Sequence, residues 1–313
     1  MSSDDPAIEI LDLTKRYGRA AAVDRLSFSV PRGSVTGFLG PNGAGKTTTM
    51  RVLLGLASPT SGEAHVLGGR YRALDMPLRR VGAALEITGF HPGRTARNHL
   101  RVVCLQAGLN EQRTEAVLAL TGMGEYGDSK VRGFSFGMRQ RLALAASLLG
   151  EPEVLVLDEP ANGLDPAGVA WLRGFLRRFV DGGGAVLISS HILSEIAEVA
   201  NRVVVIDRGA LVTQGSVQEL TTAAGEAVLV RSPDADRLRA ALERAGAMVV
   251  VEADGALAVR SLAIQEVGRI AADEYAVLHE LSQRTSTLED AFLSLTGGYA
   301  TPPARPDAPE ASR

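Results

Sequence analysis

The sequence predicts an α/β protein built on a parallel sheet, followed by a smaller α+β unit. Three observations carry this reading. Unbroken Val/Ile/Leu runs recur through the first 220 residues: "VTGFLG" (35–40), "EVLVLDEP" (153–160), "AVLISSH" (185–191) and "RVVVIDRG" (202–209). Apolar runs without polar alternation suit strands covered on both faces, as in a parallel sheet. Longer helical patterns separate these runs, and near residue 225 the rhythm shifts to short strands and helices in close succession.

Along the chain, "MSSDDP" (1–6) is an acidic extension. "AIEILDLTKRYG" and "AAVDRLSFSVPRG" alternate apolar and polar residues, with Val23, Leu26, Phe28 and Val30 on one side, and predict a small antiparallel layer. Residues 86–150 lack strong strand runs and carry "TARNHLRVVCLQAG" and "RTEAVLALTGMG", which predict a helical insertion. From 226, "EAVLVR" reads as a strand and "DADRLRAALERAGA" as a helix with Leu238, Ala241, Leu242 and Ala245 on one face. "MVVVEADGALAVR" reads as a hairpin across Asp254-Gly255. A helix in "LAIQEVGRIAADE", a strand in "YAVLHELSQR" and a last helix in "TLEDAFLSLTGG" complete a βαββαβ order typical of a ferredoxin-like unit over 226–297. Four prolines in the last thirteen residues, without apolar periodicity, predict a disordered tail from 298 to 313.

Composition excludes several classes. A net charge of −3 gives no basic footprint for nucleic acid, so no nucleic-acid partner is expected. The N-terminus is acidic where a secretion signal would be basic and then apolar. No apolar run reaches the roughly 18 residues of a membrane span. Any membrane work therefore calls for another chain to do the spanning, with this one in the cytoplasm. The lone cysteine, Cys104, can form neither an internal disulfide nor a thiolate metal site by itself.

"GPNGAGKTT" (40–48) fulfils G-x-x-x-x-G-K-[ST] with Gly40, Gly45, Lys46 and Thr47, after a predicted strand and at the start of a predicted helix. Glycines let backbone N–H groups converge on phosphate oxygens, the helix dipole adds positive potential, and Lys46 supplies a charge. The Thr47 hydroxyl suits Mg²⁺, which takes few protein ligands beside phosphate and water. About 110 residues later, Asp158 ends the run "VLVLDEP", placed to complete the metal shell, and Glu159 beside it can polarise an attacking water. Together these elements imply nucleoside triphosphate hydrolysis. "RGFSFGMRQR" (132–141) remains: Ser135 can cap the helix carrying Leu142, Ala145, Ala146 and Leu149, and a helix start attracts anions.

The ordered set "GPNGAGKTT", "FSFGMRQR", "VLVLDEP", "GLDP" (163–166) and "ISSH" (188–191) resembles the ATP-binding cassette family of transporter ATPases, over roughly residues 7–222. The resemblance implies a P-loop NTPase fold with a parallel core, an antiparallel β subdomain and a helical subdomain at about 86–150. It implies ATP and Mg²⁺ as cofactors. Tyr17 would stack on adenine. Gly40, Pro41, Asn42, Gly43, Ala44, Gly45, Lys46, Thr47 and Thr48 would cradle the phosphates. Thr47 and Asp158 would hold Mg²⁺, with Lys46, Glu159 and His191 catalytic. In that family the loop resembling Ser135–Gly137 faces ATP held by a second cassette, and Asp165 sits at the same interface. The implied assembly is a homodimer through the ATP sites, on separately encoded transmembrane permease subunits, at the inner face of the cell membrane.

Two departures stand out. The family's usual Leu-Ser-Gly-Gly-Gln keeps only Ser135 and Gly137 here, and Glu86 occupies a metal-site position where most members carry glutamine. Both features, and "STLEDAFLSLTGG", resemble a bacterial subgroup serving drug and peptide-antibiotic exporters of bacitracin, lantibiotic or daunorubicin type. Two further functions stay open at this level: a soluble cassette ATPase acting on nucleic acid or ribosomes, and a small-molecule P-loop kinase. In the C-terminal unit, Leu288, Phe292 and Leu295 offer an apolar face that could strengthen the dimer or gate nucleotide access.

Overall fold

In the computed structural model, residues 5–85, 89–223, 226–252, 254–285 and 288 are described. β1 (Ile8–Tyr17) and β2 (Ala20–Val30) pair antiparallel, and alternation buries Val23, Leu26, Phe28 and Val30 as predicted. β3 (Val35–Leu39) is buried along its whole length and runs into the glycine loop and α1 (Lys46–Leu53). β4 (Ser61–Val66) then returns to β1, giving a three-stranded layer in the order β2-β1-β4. α2 (Pro77–Arg80) leads to β5 (Val81–Ala84).

The helical region follows, with α3 (Ala96–Ala107), α4 (Arg113–Leu120) and α5 (Phe136–Ser147). Thr95 caps α3 by accepting from the Asn98 N–H at 3.2 Å, and Leu100, Leu118, Met123 and Leu142 are buried in this region. β6 (Val154–Asp158), α6 (Pro166–Asp181), β7 (Ala185–Ser190), α7 (Leu193–Ala197), β8 (Arg202–Asp207), β9 (Ala210–Ser216) and α8 (Val217–Ala223) complete this part of the chain.

The central sheet has the order β5-β6-β7-β3-β8-β9, parallel except for β9. The four strands foreseen from apolar runs are its middle. Sequence reading missed β4, β5 and β9, and each lacks an unbroken β-branched run: "SGEAHV", "VGAA" and the alternately exposed "ALVTQGS". One core joins both sheets around α1, through Ile8, Val23, Phe38, Met50, Leu53, Val156 and Leu187. Because β6, β7 and β3 are neighbours, their carboxyl ends lie side by side, the usual ligand-binding edge of an open α/β sheet.

The chain divides into two compact units between Glu219 and Leu220, a few residues before the boundary expected at 222–226. The start of α8 belongs to the first unit for a local reason. The Ser216 hydroxyl accepts from the Glu219 N–H (3.0 Å), the Glu219 carboxylate accepts from the Ser216 N–H (2.8 Å), and the Val217 N–H donates to Asn201 O (3.0 Å).

The second unit comprises β10 (Glu226–Arg231), α9 (Ala235–Arg244), β11 (Met248–Val251), β12 (Leu257–Arg260), α10 (Ile264–Asp273) and β13 (Glu280–Thr285). Its antiparallel order β11-β12-β10-β13 is ferredoxin-like, and Val228, Val230, Leu238, Leu242, Leu257, Val259 and Val267 form its own core. The hairpin turns at Gly255, where φ is +81°. Two details differ from expectation. Ala245 is exposed, because α9 ends at Arg244. The last strand starts at Glu280 instead of Tyr275, which adopts φ +52° and is 90% exposed. Leu288 is buried, while Phe292, Leu295 and the 298–313 tail lie outside the described residues.

Candidate functional site

The loop from β3 to α1 is shaped by backbone freedom. Gly45 has φ +106°, and a Cβ there would lie 2.5 Å from Ala22 O on β2, so only glycine fits. The turn places Lys46 and Thr47 at the first positions of α1, where backbone N–H groups lack intrahelical partners. A cavity of about 230 Å³ opens here, lined by Ala22, residues 41–48, Asp158 and Glu159. Gly40 contributes its carbonyl: Lys46 Nζ donates to Gly40 O at 2.5 Å and to Pro41 O at 3.3 Å. Lys46 also lies 3.9 Å from Glu159 Oε1 and is only 7% exposed. Burial lowers its pKa below the usual lysine value, and the negative charges of Glu159 and Asp158 offset part of that effect.

Across the cavity, Thr47 Oγ1 donates to Asp158 Oδ2 at 2.6 Å. β6 ends at this aspartate, and Glu159 turns the chain with φ +50°, an uncommon conformation for a residue with a side chain. Its carboxylate reaches His191, with Oε2 2.9 Å from Nδ1, which carries the proton when the carboxylate is ionised. The structure thus brings together Lys46, Thr47, Asp158, Glu159 and His191 at or just beyond the carboxyl ends of three neighbouring strands. Ser189, which sequence reading passed over, joins them: its hydroxyl donates to Asp158 Oδ1 and accepts from the Glu159 N–H. Ala22 was also missed, because nothing in an antiparallel strand announces contact with a loop 20 residues away.

Tyr17 does not line the cavity. It sits at the end of β1, 52% exposed, its ring 4.8 Å from the Lys15 ammonium. Glu86 lies outside the described residues.

Ser135, Gly137 and Asp165 line a different cavity of about 560 Å³, together with Met138, Arg141, Gly163, Leu164 and a rim of Gly122, Met123, Glu125 and Tyr126. No residue lines both cavities. Ser135 caps α5 by accepting from the Met138 N–H at 3.2 Å, as predicted. A Cβ on Gly137 would meet Gly163 O at 2.6 Å, which explains the glycine by close backbone packing. Asp165 caps α6 through the Gly168 N–H (2.9 Å) and lies 3.7 Å from Arg141, whose guanidinium is 5.7 Å from the Trp171 ring centre.

A strand–glycine loop–helix cradle with a threonine–aspartate pair and a carboxylate at its mouth defines a P-loop nucleoside triphosphatase. Comparison with known proteins makes the class specific. Residues 23–162 match the ABC transporter family model, and 226–289 match a domain of unknown function, DUF8746. The chain is 34% identical to the bacitracin transport ATP-binding protein BcrA of Enterococcus faecalis over 93% of its own length and 96% of that protein's. It is 35% identical to the daunorubicin resistance ATP-binding protein DrrA3 of Streptomyces coeruleorubidus, over 94% and 96%. An ATP-binding subunit of an ABC transporter superposes with a TM-score of 0.64 at 27% identity, covering 70% of this chain and 93% of that one. The fold is also shared with a dimeric ATP-binding cassette bound to ADP and Pi, with a TM-score of 0.61 at 18% identity over 67% and 98% of the two chains. The chain therefore belongs to the ATP-binding cassette transporter family, as an ATP-binding and ATP-hydrolysing subunit.

Proposed function

We propose that this chain powers a bacterial exporter of drugs or peptide antibiotics, closing as a homodimer on two ATP molecules and driving separately encoded membrane subunits. One observation carries the reading: near-full-length similarity to proteins named for bacitracin transport and daunorubicin resistance, in a chain that also holds the hydrolytic cluster. Among the described residues no helix is long and apolar enough to cross a membrane, so transport needs a membrane partner. The chain would work from the cytoplasm, peripheral on the inner face of the cell membrane.

The residues present fit Mg²⁺. Thr47 and Asp158 place two oxygen ligands together, and among the described residues no cluster of three or more His, Cys, Asp or Glu competes as a metal site. That donor set suits an ion that takes most of its ligands from phosphate and water. When bound, Mg²⁺ would neutralise charge on the β- and γ-phosphate oxygens.

The chain's own groups do the rest. The loop from 40 to 48 orients the phosphates, and Lys46 exchanges its bonds to Gly40 O and Pro41 O for phosphate oxygens. Glu159 orients the attacking water and accepts its proton as the water oxygen bonds to the γ-phosphorus and the bond to ADP breaks. His191 holds the Glu159 carboxylate in place. Ser135, Gly137 and Asp165 would present the second cavity to ATP on the partner chain, and Tyr17 would meet adenine at the open side. The decisive experiment is to tag the protein in its own cell, extract membranes in mild detergent and identify what co-purifies. A stoichiometric, multi-span partner is expected; recovery only with ribosomes or nucleic-acid factors would contradict the proposal.

A further inference from the structure

We propose that Ser189 is a positioning residue for hydrolysis, holding both the Asp158 carboxylate and the Glu159 backbone in working geometry. The inference rests on the Mg²⁺-ATP reading of the site. Ser189 is fully buried on β7, paired in register with Asp158 on β6. Its hydroxyl uses both of its capacities at once: it donates to Asp158 Oδ1 and accepts from the Glu159 N–H at 2.9 Å.

The geometry makes each bond matter. Thr47 holds Asp158 Oδ2 at 2.6 Å and Ser189 holds Oδ1, so the carboxylate plane is fixed by two hydroxyls from opposite sides. β6 stops at Asp158, and Glu159 leaves the ladder in a left-handed conformation. Its N–H can no longer follow the strand pattern, and the Ser189 hydroxyl replaces the missing acceptor. An apolar residue at 189 would release the Asp158 oxygen opposite the one that Thr47 holds, and one backbone donor, together. A serine merely tolerated in a buried strand would need only a single partner, such as a nearby carbonyl. Ser190 is a useful contrast: its hydroxyl accepts from the Ile192 N–H (2.9 Å) and serves the following turn.

The test uses the full chain saturated with AMP-PNP, with Mn²⁺ titrated in and free Mn²⁺ read by electron paramagnetic resonance. Ser189→Ala is expected to weaken Mn²⁺ binding about tenfold, the usual range for loss of a group that orients a metal ligand. At saturating metal it should lower kcat while leaving the KM for ATP near the native value. Ser190→Ala should keep native Mn²⁺ affinity. Ser189→Cys retains the shape with only a weak donor and should share the Ser189→Ala loss, so it serves if the alanine variant does not fold. Native Mn²⁺ affinity and kcat in either Ser189 variant would overturn the proposal alone. Failure of the native chain to bind Mn²⁺ with nucleotide would overturn the metal reading and this proposal with it.

Discussion

The two cavities of the first unit are built in opposite ways. Around the glycine loop, Thr47, Asp158, Ser189, Glu159, His191 and Lys46 bond to one another, and every side chain with chemistry to perform has a partner within the chain. Around Ser135 the bonds that exist are structural: two helix caps and an Arg141–Asp165 contact, beside an open volume more than twice as large. On the proposed function, the first would be the reaction centre and the second a face that meets nucleotide held by another copy. On that proposal, the chain would carry two halves of a site that a second copy completes.

Four experiments sharpen that contrast, beginning with the largest expected effect. Glu159→Gln should lower the ATPase rate by about 10²–10⁴-fold, the range for losing a positioned proton acceptor, while ATP still binds; single-turnover kinetics beside equilibrium nucleotide binding separate the two. Gly137→Ala drives a methyl group toward Gly163 O and should cost about 1–3 kcal/mol in denaturant unfolding. ATP affinity of the monomer should not change, because the cavities share no lining residue. Ser135→Ala removes a cap for about 1 kcal/mol of stability. A fall in multiple-turnover ATPase well beyond that loss would mark Ser135 as part of the partner-facing surface, and an unchanged rate would reduce it to a cap.

The smallest effect is a pH dependence. Burial holds the Lys46 pKa in the folded protein below the ordinary lysine value of 10.5. Between that lowered value and 10.5 the unfolded chain holds more protons than the folded one, so stability of the nucleotide-free protein rises with pH across this window. Unfolding free energies of native protein and Lys46→Met over the alkaline range should diverge in that sense. A difference that is flat with pH would mean that the burial of Lys46 has no energetic weight.

Much of this was legible in the sequence, for identifiable reasons. A glycine loop needs its φ angles and its lysine in fixed order, so residues 40–48 announce themselves, and the buried strands β3, β6, β7 and β8 show as unbroken apolar runs. The N-cap at Ser135 was readable because capping is local. What escaped depends on contacts between distant segments. The close packing at Gly137 comes from the carbonyl of Gly163, 26 positions away, and the bonds of Ser189 from Asp158 at the end of the neighbouring strand and Glu159 just beyond it. Tyr17 shows the opposite limit: its place at a strand end was foreseen, but its ring lies outside the cavity lining. In the second unit, α9 stops one residue before the expected Ala245, and an open turn at Tyr275 delays the last strand.

On the proposed function, the two cavities would complete each other across two copies of the chain. Sedimentation of Glu159→Gln with saturating Mg²⁺-ATP tests it most directly. A particle of twice the 32.9 kDa chain mass is predicted, reverting to the single-chain mass when Ser135→Arg is added although each monomer still binds ATP. A Glu159→Gln protein that stays at the single-chain mass at saturating ATP would contradict the account.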